Sequence, residues 1–258
     1  MNENTNYLEN YDFVSEDIRY IANSIIRLKI LSSLFEKPQN MKELATNTKL
    51  GYSSISSTIH DLELKDFVFR ESNKYYLVNS LKAQMKNVLE VKEVVNLLNR
   101  FFNIVDGHVV EMIPHGSINE LHLLEKAELL ESGGIDAYKI HDFIEDTLGE
   151  AEMIRCVLPF YQLNINKKLN NLVKKGRLVE VMVSDEVFEI YEEKCESKYI
   201  YPFKQKNNFF LIVSDEVMIL GLFKEDGYFD QNRLLTSKNE DCVNWANNLF
   251  KNFKINNK

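Results

Sequence analysis

The chain has 258 residues, of which 45% are hydrophobic, and its formal net charge is −8 at pH 7. This length suits two domains, and the hydrophobic fraction excludes a chain that is too polar to bury a core. No apolar run reaches the length of a membrane span and no signal peptide opens the chain, so we expect a cytoplasmic protein with no membrane partner.

The cysteines and histidines do not form a recognisable metal or redox motif. Cys156, Cys195 and Cys242 lie far apart, so buried or reduced thiols are the expectation. His115 and His122 are seven residues apart, and they share a helical face only if one helix includes both. Because a metal site needs three or four convergent donors, the sequence predicts no metal site and no cofactor.

The negative charge is distributed unevenly along the chain. Residues 17–80 carry 9 basic and 7 acidic side chains, a balance of +2, whereas residues 106–258 carry 18 and 26, a balance of −8. Contact with phosphate depends on the local charge of one face, so the acidic total does not exclude nucleic-acid binding by the N-terminal part.

The first predicted helix covers residues 17–35, after a polar arm at residues 1–16. Apolar side chains recur in it at helical spacing, which predicts one buried stripe. The sequence Lys37-Pro38 ends the helix, because a residue before proline disfavours helical backbone. The predicted stripe consists of Ile18, Ile21, Ile25, Leu28 and Leu31.

Residues 40–78 are the most informative stretch of the chain. Asn40 can cap a second helix, Gly51 permits a turn, and Ser53 can cap a third helix. The third helix carries one apolar face at spacing i, i+4, i+7, formed by Ile55, Ile59 and Leu62. Two β-rich runs follow, joined by a polar hairpin tip at residues 71–74.

Helix, turn, helix and hairpin in this order predict a winged helix-turn-helix, whose second helix lies in the DNA major groove. We therefore assign residues 17–80 to a domain that binds double-stranded DNA. The alternative is that a serine-rich face is merely a solvated one. The predicted DNA contacts are Ser53, Ser54, Ser57 and Thr58 on the helix, with Arg70 and Lys74 on the hairpin.

The first helix also resembles that of the ArsR/MarR-like group of prokaryotic regulators, through residues 26–31 and Leu34. Metal-sensing members of that group place a Cys-x-Cys pair on the helix before the recognition helix. Residues 41–49 contain no cysteine, which argues against a metal sensor of that type.

Residues 81–105 are predicted to form one long linker helix. Apolar residues recur in it at alternating spacings of three and four, which is the seam of a short coiled coil. The seam predicts a homodimer, although a helix that packs on its own domain gives a similar pattern. The predicted dimerisation residues are Val88, Val91, Val95, Leu98, Phe102 and Val105.

Residues 106–258 are predicted to form a mixed α/β effector domain. Helices are expected at residues 117–131 and 138–148. Strands at 153–158 and 178–183 flank a helix at 165–175 and predict a parallel unit, and residues 209–223 predict a hairpin. The predicted fold class is therefore α+β or α/β, with a winged helix-turn-helix, a linker helix and an effector domain.

This second domain resembles the ligand-binding region of archaeal winged-helix regulators related to the methanogenesis regulator, the Fil family. The resemblance rests on residues 108–114, 157–160, 210–215, 220–230, 234–237 and 245–250. It implies a transcriptional regulator, from a methanogen, whose second domain senses a small molecule or a partner. The operator, the effector and the direction of regulation are not fixed by these residues.

A different class of function, an enzyme that processes a small molecule or nucleotide with the winged helix as a docking module, stays open because α/β folds hold active sites at strand ends. No phosphate-binding loop, nucleophile elbow, zinc protease motif or His-x-Lys phosphodiesterase motif is present in the sequence. We therefore predict that the chain is not an enzyme. The candidate effector-binding residues are Arg155, Tyr161 and Tyr228.

Overall fold

The computed structural model describes residues 18–110, 112–204 and 209–257. These residues form two compact units, unit 1 up to Lys92 and unit 2 from Glu93 onward. The predicted arm at residues 1–16 lies outside the described residues. The predicted fold class is confirmed, since helices dominate the N-terminal region and a mixed sheet with helices forms the C-terminal one.

Unit 1 packs helices and a two-stranded hairpin around one apolar core. Leu31, Leu44, Ile59 and Leu62 lie in this core, and none of them is more than 2% exposed. Burial of such side chains is the main driving force for packing these short elements together. The elements are α1 (Ile25–Glu36), α2 (Met41–Thr48), α3 (Tyr52–Leu64), β1 (Val68–Glu71), β2 (Lys74–Leu77) and the first part of α4 (Asn79–Arg100).

The predicted helix at residues 17–35 is wrong in one respect, because the helical backbone is interrupted just before α1. Ser24 has an extended backbone and its side chain accepts a hydrogen bond from the N–H of Arg27, which starts a new helix. The break changes which residues face the core. Of the predicted stripe, Ile21 and Leu31 are buried, Leu28 is half-buried, and Ile18 and Ile25 are 54% and 69% exposed.

Unit 2 contains a seven-stranded sheet with the order β3-β9-β8-β7-β4-β5-β6 among the described residues. Strands β4, β5 and β6 pair in parallel and the other pairs are antiparallel. The elements are α5 (Phe102–Val105), α6 (His115–Ile118), β3 (Glu128–Glu131), α7 (Lys139–Glu150), β4 (Met153–Leu158), α8 (Leu163–Lys174), β5 (Leu178–Ser184), α9 (Phe188–Lys194), β6 (Tyr199–Phe203), β7 (Phe210–Ser214), β8 (Met218–Gly221), β9 (Arg233–Ser237) and α10 (Glu240–Asn256). The predicted parallel unit and the predicted β7–β8 hairpin are thereby confirmed.

Helices cover both faces of this sheet. Ile154, Cys156 and Leu158 of β4 pack in one apolar cluster with side chains of α7, α8 and α9. Val157, between them, packs in a second cluster with Trp245 of α10. Successive side chains of a strand point to opposite faces of the sheet. Because those of β4 alternate between the two clusters, both faces of the sheet are covered.

The predicted helix at residues 117–131 is wrong beyond Ile118, where α6 ends. A short helical turn at Leu121–Leu124 is followed by β3, which pairs antiparallel with β9. Leu129 packs on the cluster that contains Trp245 and Leu130 on the opposite one. Pairing with β9, which is distant in sequence, therefore determines the extended backbone conformation of residues 128–131, although their composition favours a helix.

Two further expectations concern cysteines and membrane spans. Cys156, Cys195 and Cys242 are all buried free thiols, which confirms the expectation for the cysteines. Burial raises the pKa of all three, so thiolate chemistry is suppressed. No helix among the described residues is long and apolar enough to cross a membrane.

A network of charged side chains lies between β4, β5 and α10. Glu180 accepts from Lys254 at 2.8 Å and from Arg155 at 3.3 Å, and Arg155 also donates to Asn247 at 2.6 Å. Burial disfavours the charged form of Glu180, but the bonds from Lys254 and Arg155 outweigh it and lower the pKa of Glu180. Burial likewise opposes the charge of Lys254, yet Glu180 leaves the pKa of Lys254 raised.

These shifts predict how the stability of unit 2 depends on pH. A carboxylate with a lowered pKa stabilises the fold above its unfolded pKa, and the contribution is lost as pH falls through the folded pKa. Glu180→Gln should therefore lower the free energy of unfolding at pH 7 by about 1–3 kcal/mol. The difference from wild type should shrink below about pH 4. Urea unfolding followed by the fluorescence of Trp245 measures it.

The control variant is Glu192→Gln, because Glu192 is exposed on α9. It should change the free energy of unfolding by less than about 0.5 kcal/mol at either pH. Equal effects of Glu180→Gln at pH 7 and at pH 3 would contradict the assignment of a stabilising negative charge to Glu180.

Candidate nucleic-acid interface

The turn between α2 and α3 sets the direction of α3. The side chain of Asn40 accepts from the N–H of Glu43, and the carboxylate of Glu43 accepts from the N–H of Asn40, so the predicted cap of α2 is confirmed. The predicted role of Gly51 is wrong. The left-handed residue is Lys49, with φ 56°, whereas Gly51 has φ −70° and an extended backbone.

Helix α3 begins two residues before the position that a cap at Ser53 predicts. Gly51 is its N-cap and no side chain caps it, so Ser53 lies in the first turn and the prediction of Ser53 as the cap is wrong. The first N–H groups of α3 consequently have no capping side chain. Unpaired N–H groups at a helix N-terminus favour contact with an anionic group.

The two faces of α3 differ in chemistry as predicted. Ile55, Ile59 and Leu62 are buried and fix the helix to the core of unit 1. Hydroxyl side chains occupy the other side of its first half, where Ser53 and Ser57 are exposed and Ser54 and Thr58 are half-buried. Such a surface lets another molecule approach the backbone closely and offers hydrogen bonds without bulk.

The hairpin after α3 has a tight two-residue turn. Its strands pair Arg70 with Tyr75 and Glu71 with Lys74. Ser72 and Asn73 have φ 48° and 72°, as a type I′ turn requires. The predicted hairpin and its tip are therefore confirmed.

Two exposed basic residues lie near the turn of the hairpin, and one of them is held by a hydrogen bond. Arg70 donates to the side-chain oxygen of Asn73 at 2.9 Å and is exposed, as is Lys74. The rings of Phe69 and Tyr76 stack across the strands with centroids 5.3 Å apart. Arg70 can therefore meet an anionic surface at small entropic cost, and the exposed Lys74 adds a second positive charge near the turn.

Gln39 was not predicted from the sequence and is central to unit 1. Its side chain is 1% exposed, donates to Ser33 at the end of α1 and accepts from Asn47 at the end of α2. Its backbone exchanges two hydrogen bonds with Tyr75 of β2. The only sequence feature that could have indicated this role is the position of Gln39 between Pro38 and the cap Asn40.

The predicted single linker helix at residues 81–105 is wrong, because the structure divides it at Phe101 into α4 and α5. The predicted seam on it is only partly exposed. Val91, Val95 and Leu98 are 62%, 49% and 37% exposed on α4, and we call these three the apolar strip. Val88 packs against the core of unit 1 and Val105 against a core of unit 2. The side chain of Phe102 lies outside the described residues.

The three candidate effector residues are not brought together. Arg155 is bound to Glu180 and Asn247 on the α10 face of the sheet. Tyr161 packs against Tyr191 in the cluster on the opposite face, with ring centroids 5.1 Å apart. Tyr228 is 74% exposed in the turn before β9. These positions give no common pocket.

The described residues also contain no group of three or more histidine, cysteine or acidic side chains placed to hold a metal ion. His122 lies in the short helical turn of unit 2, and the side chain of His115 lies outside the described residues.

The chain thus combines a helix–turn–helix with a hairpin in unit 1 and a mixed α/β sheet in unit 2. The N-terminal domain of methanogenesis regulatory protein FilR1 matches residues 15–99, and the middle domain of the same protein matches residues 137–256. The chain belongs to this Fil family of archaeal regulatory proteins.

The methanogenesis regulatory protein FilR1 of Methanothrix harundinacea (strain 6Ac) is 21% identical over 247 residues, which are 90% of this chain and 55% of that protein. The chain thus spans about half the length of this curated relative.

Two solved structures show weaker likeness. TrmBL2, an archaeal chromatin protein, has a TM-score of 0.40 and 13% identity, over 94% of this chain and 97% of that one. A phospholipase D family member of Salmonella typhimurium has a TM-score of 0.34 and 13% identity, over 50% and 91%. At these scores neither likeness carries an argument about this chain.

Proposed function

We propose that the chain is a DNA-binding transcriptional regulator, in which unit 1 binds double-stranded DNA and unit 2 senses a small molecule or a partner. The observation that carries the proposal is the hydroxyl-rich exposed face of α3 beside a hairpin with exposed Arg70 and Lys74. Membership in a family of regulatory proteins supports it. A genome-wide binding map is the direct test, and absence of binding to the gene's own upstream region at low salt would contradict it.

In this proposal, unit 1 acts as a winged helix-turn-helix and α3 enters the major groove by its first half. Ser53, Ser54, Ser57 and Thr58 contact phosphates or base edges there. The acidic residues of α3, Asp61 and Glu63, lie in its second half and would repel phosphate. Arg70 and Lys74 contact phosphates from the hairpin.

Replacement of both hairpin cations tests these phosphate contacts. Arg70→Ala with Lys74→Ala should weaken binding to all DNA sequences alike, because phosphate contacts carry no sequence information. The slope of log affinity against log salt concentration should flatten by about one unit for each lost contact. Fluorescence anisotropy with an operator and an unrelated duplex, at several salt concentrations, measures both effects.

A matched control removes two cations elsewhere. Lys167→Ala with Lys175→Ala takes the same charge from exposed positions of unit 2 and should leave the salt slope unchanged. If both double variants flattened the slope equally, total charge would explain the effect and the hairpin contacts would be wrong.

We also propose that the chain forms a homodimer through the apolar strip of Val91, Val95 and Leu98. Three apolar side chains at spacing i, i+4, i+7 form one stripe on α4, and a second copy would remove it from water. A single unit with a charge of +2 offers little affinity for DNA, whereas two linked copies read two half-sites.

Charges in the apolar strip should therefore dissociate the dimer. Val95→Glu with Leu98→Glu places like charges where they would be buried without partners. The double variant should sediment as a monomer and bind the operator at least about tenfold more weakly, since tethering is lost. Sedimentation velocity at micromolar concentration and operator titration measure the two effects.

The control adds the same charge beside the apolar strip. Asn96→Glu with Asn99→Glu changes two exposed residues of α4 and should leave the dimer intact. A wild-type chain that sediments as a monomer both free and on DNA would contradict dimerisation.

We propose, finally, that the chain regulates without catalysing a reaction. Its free thiols are buried, and the sequence offers none of the motifs of phosphodiester or ester hydrolysis. The full chain should give no turnover with a panel of phosphodiesters and esters above the rate in buffer. Reproducible turnover that tracks the protein through purification would favour the enzyme alternative.

A further inference from the structure

A cavity of about 260 Å³ lies in unit 2, beside the point where β4 has ended and β7 begins. Its apolar walls include Ile140 and Ile144 of α7, Phe210 of β7, and Phe229. In sheets with parallel strands, small molecules bind outside the carboxyl ends of the strands. The position and the apolar walls are both those of a small-molecule site.

The ring of Phe229 is fixed in place at this cavity. Its centroid lies 4.8 Å from that of Phe160 and 5.5 Å from that of Phe210. A Cβ atom at Gly221 would lie 2.7 Å from the same ring, so the absence of a side chain there makes room for it. An aromatic ring held by its neighbours offers a pre-organised surface for a flat ligand ring.

Most polar groups that border the cavity are side-chain amides. The side-chain amides of Gln162, Gln231 and Asn232 border it, and none is hydrogen-bonded to another group in the part of the chain that the structure describes. His141 also borders it, but its ring is 2.9 Å from the carboxylate of Glu145. No Asp, Glu, Lys or Arg lines the cavity among the described residues.

These groups select a ligand class. Each amide offers a donor and an acceptor, and so can pair with an amide or lactam edge. A charged ligand would lose hydration there without gaining a counter-ion. We propose that this cavity binds a small neutral heteroaromatic molecule with an amide or lactam edge, of the size of nicotinamide or a nucleobase. Only its role as the effector rests on the regulatory function proposed above.

A buried pair links the cavity to the chain segment that follows the linker helix. Asp230 lies within the 229–232 segment that borders the cavity, and its Oδ1 accepts from the N–H of Asn232. Its Oδ2 is 3.1 Å from Nε2 of His108, and both side chains are at most 4% exposed. His108 closely follows α5. Binding that orders 229–232 therefore also restrains the segment at His108.

The test uses the full chain without DNA, so its result is independent of the proposed DNA binding. Isothermal titration with nicotinamide and with uracil, a neutral lactam, should show one saturable site with a dissociation constant below about 1 mM. Nicotinate carries a carboxylate in place of the amide of nicotinamide. It should bind at least about tenfold more weakly, because it lacks the amide N–H donors and would bury a negative charge.

Variants place the binding in the cavity. Gln231→Ala with Asn232→Ala removes two bordering amides from exposed positions and should weaken nicotinamide or uracil binding by about tenfold or more. Asn248→Ala removes an exposed amide from α10 and should leave the affinity unchanged. Lack of binding by both neutral probes, equal binding of nicotinate, or equal affinities of the two variants would each overturn the proposal.

Hydrogen exchange tests the link through His108. The N–H of Val109 donates to the carbonyl of Phe223 at 2.7 Å, and a bound probe should slow its exchange together with that of residues 230–232. The amide of Glu186, in the turn after β5, serves as the control and should not change. Slowing confined to residues 229–232 would overturn the link.

Discussion

Burial of both faces of β4 and β7 is the constraint on which most of unit 2 depends. Neighbouring side chains of β4 point to opposite faces, so each face needs its own layer of helices. Arg155 lies on one covered face, and a charge is tolerated there only because Glu180 and Asn247 satisfy it. Helix α10 is therefore fixed to the sheet both by apolar packing around Trp245 and by the ion pair of Lys254 with Glu180.

In unit 1 a single buried polar side chain connects the helices and the hairpin. Gln39 joins the ends of α1 and α2, and its backbone pairs with β2. Loss of one of these bonds would leave a buried amide unpaired, which opposes independent movement of the hairpin and the helices. The exposed face of α3 takes no part in this packing. Its hydroxyl groups are consequently available to another molecule while their position stays fixed.

Several parts of the fold that depend on local pattern were predicted correctly from the sequence. The buried face of α3, the cap at Asn40 and the hairpin tip at Ser72 and Asn73 each follow from residue type and spacing. The local signals at Ser24 and Gly51 were misinterpreted, and the other failures occur where contacts between residues distant in sequence determine the structure. Strand β3 exists because β9 pairs with it, and Gln39 matters because Tyr75 lies beside it in space. A sequence read alone contains neither contact.

The same reason explains why the sequence alone could not show that the three candidate effector residues lie apart. Arg155 and Tyr161 are near in sequence but belong to opposite faces of the sheet, whereas Gln162 and Asn232 are far apart in sequence and border one cavity. Within the 229–232 segment, the residues on either side of Asp230 line the cavity while Asp230 itself bonds His108. The same short segment thus lines the cavity and also bonds His108. A molecule that orders the cavity side of the segment must therefore also bias the contact with His108.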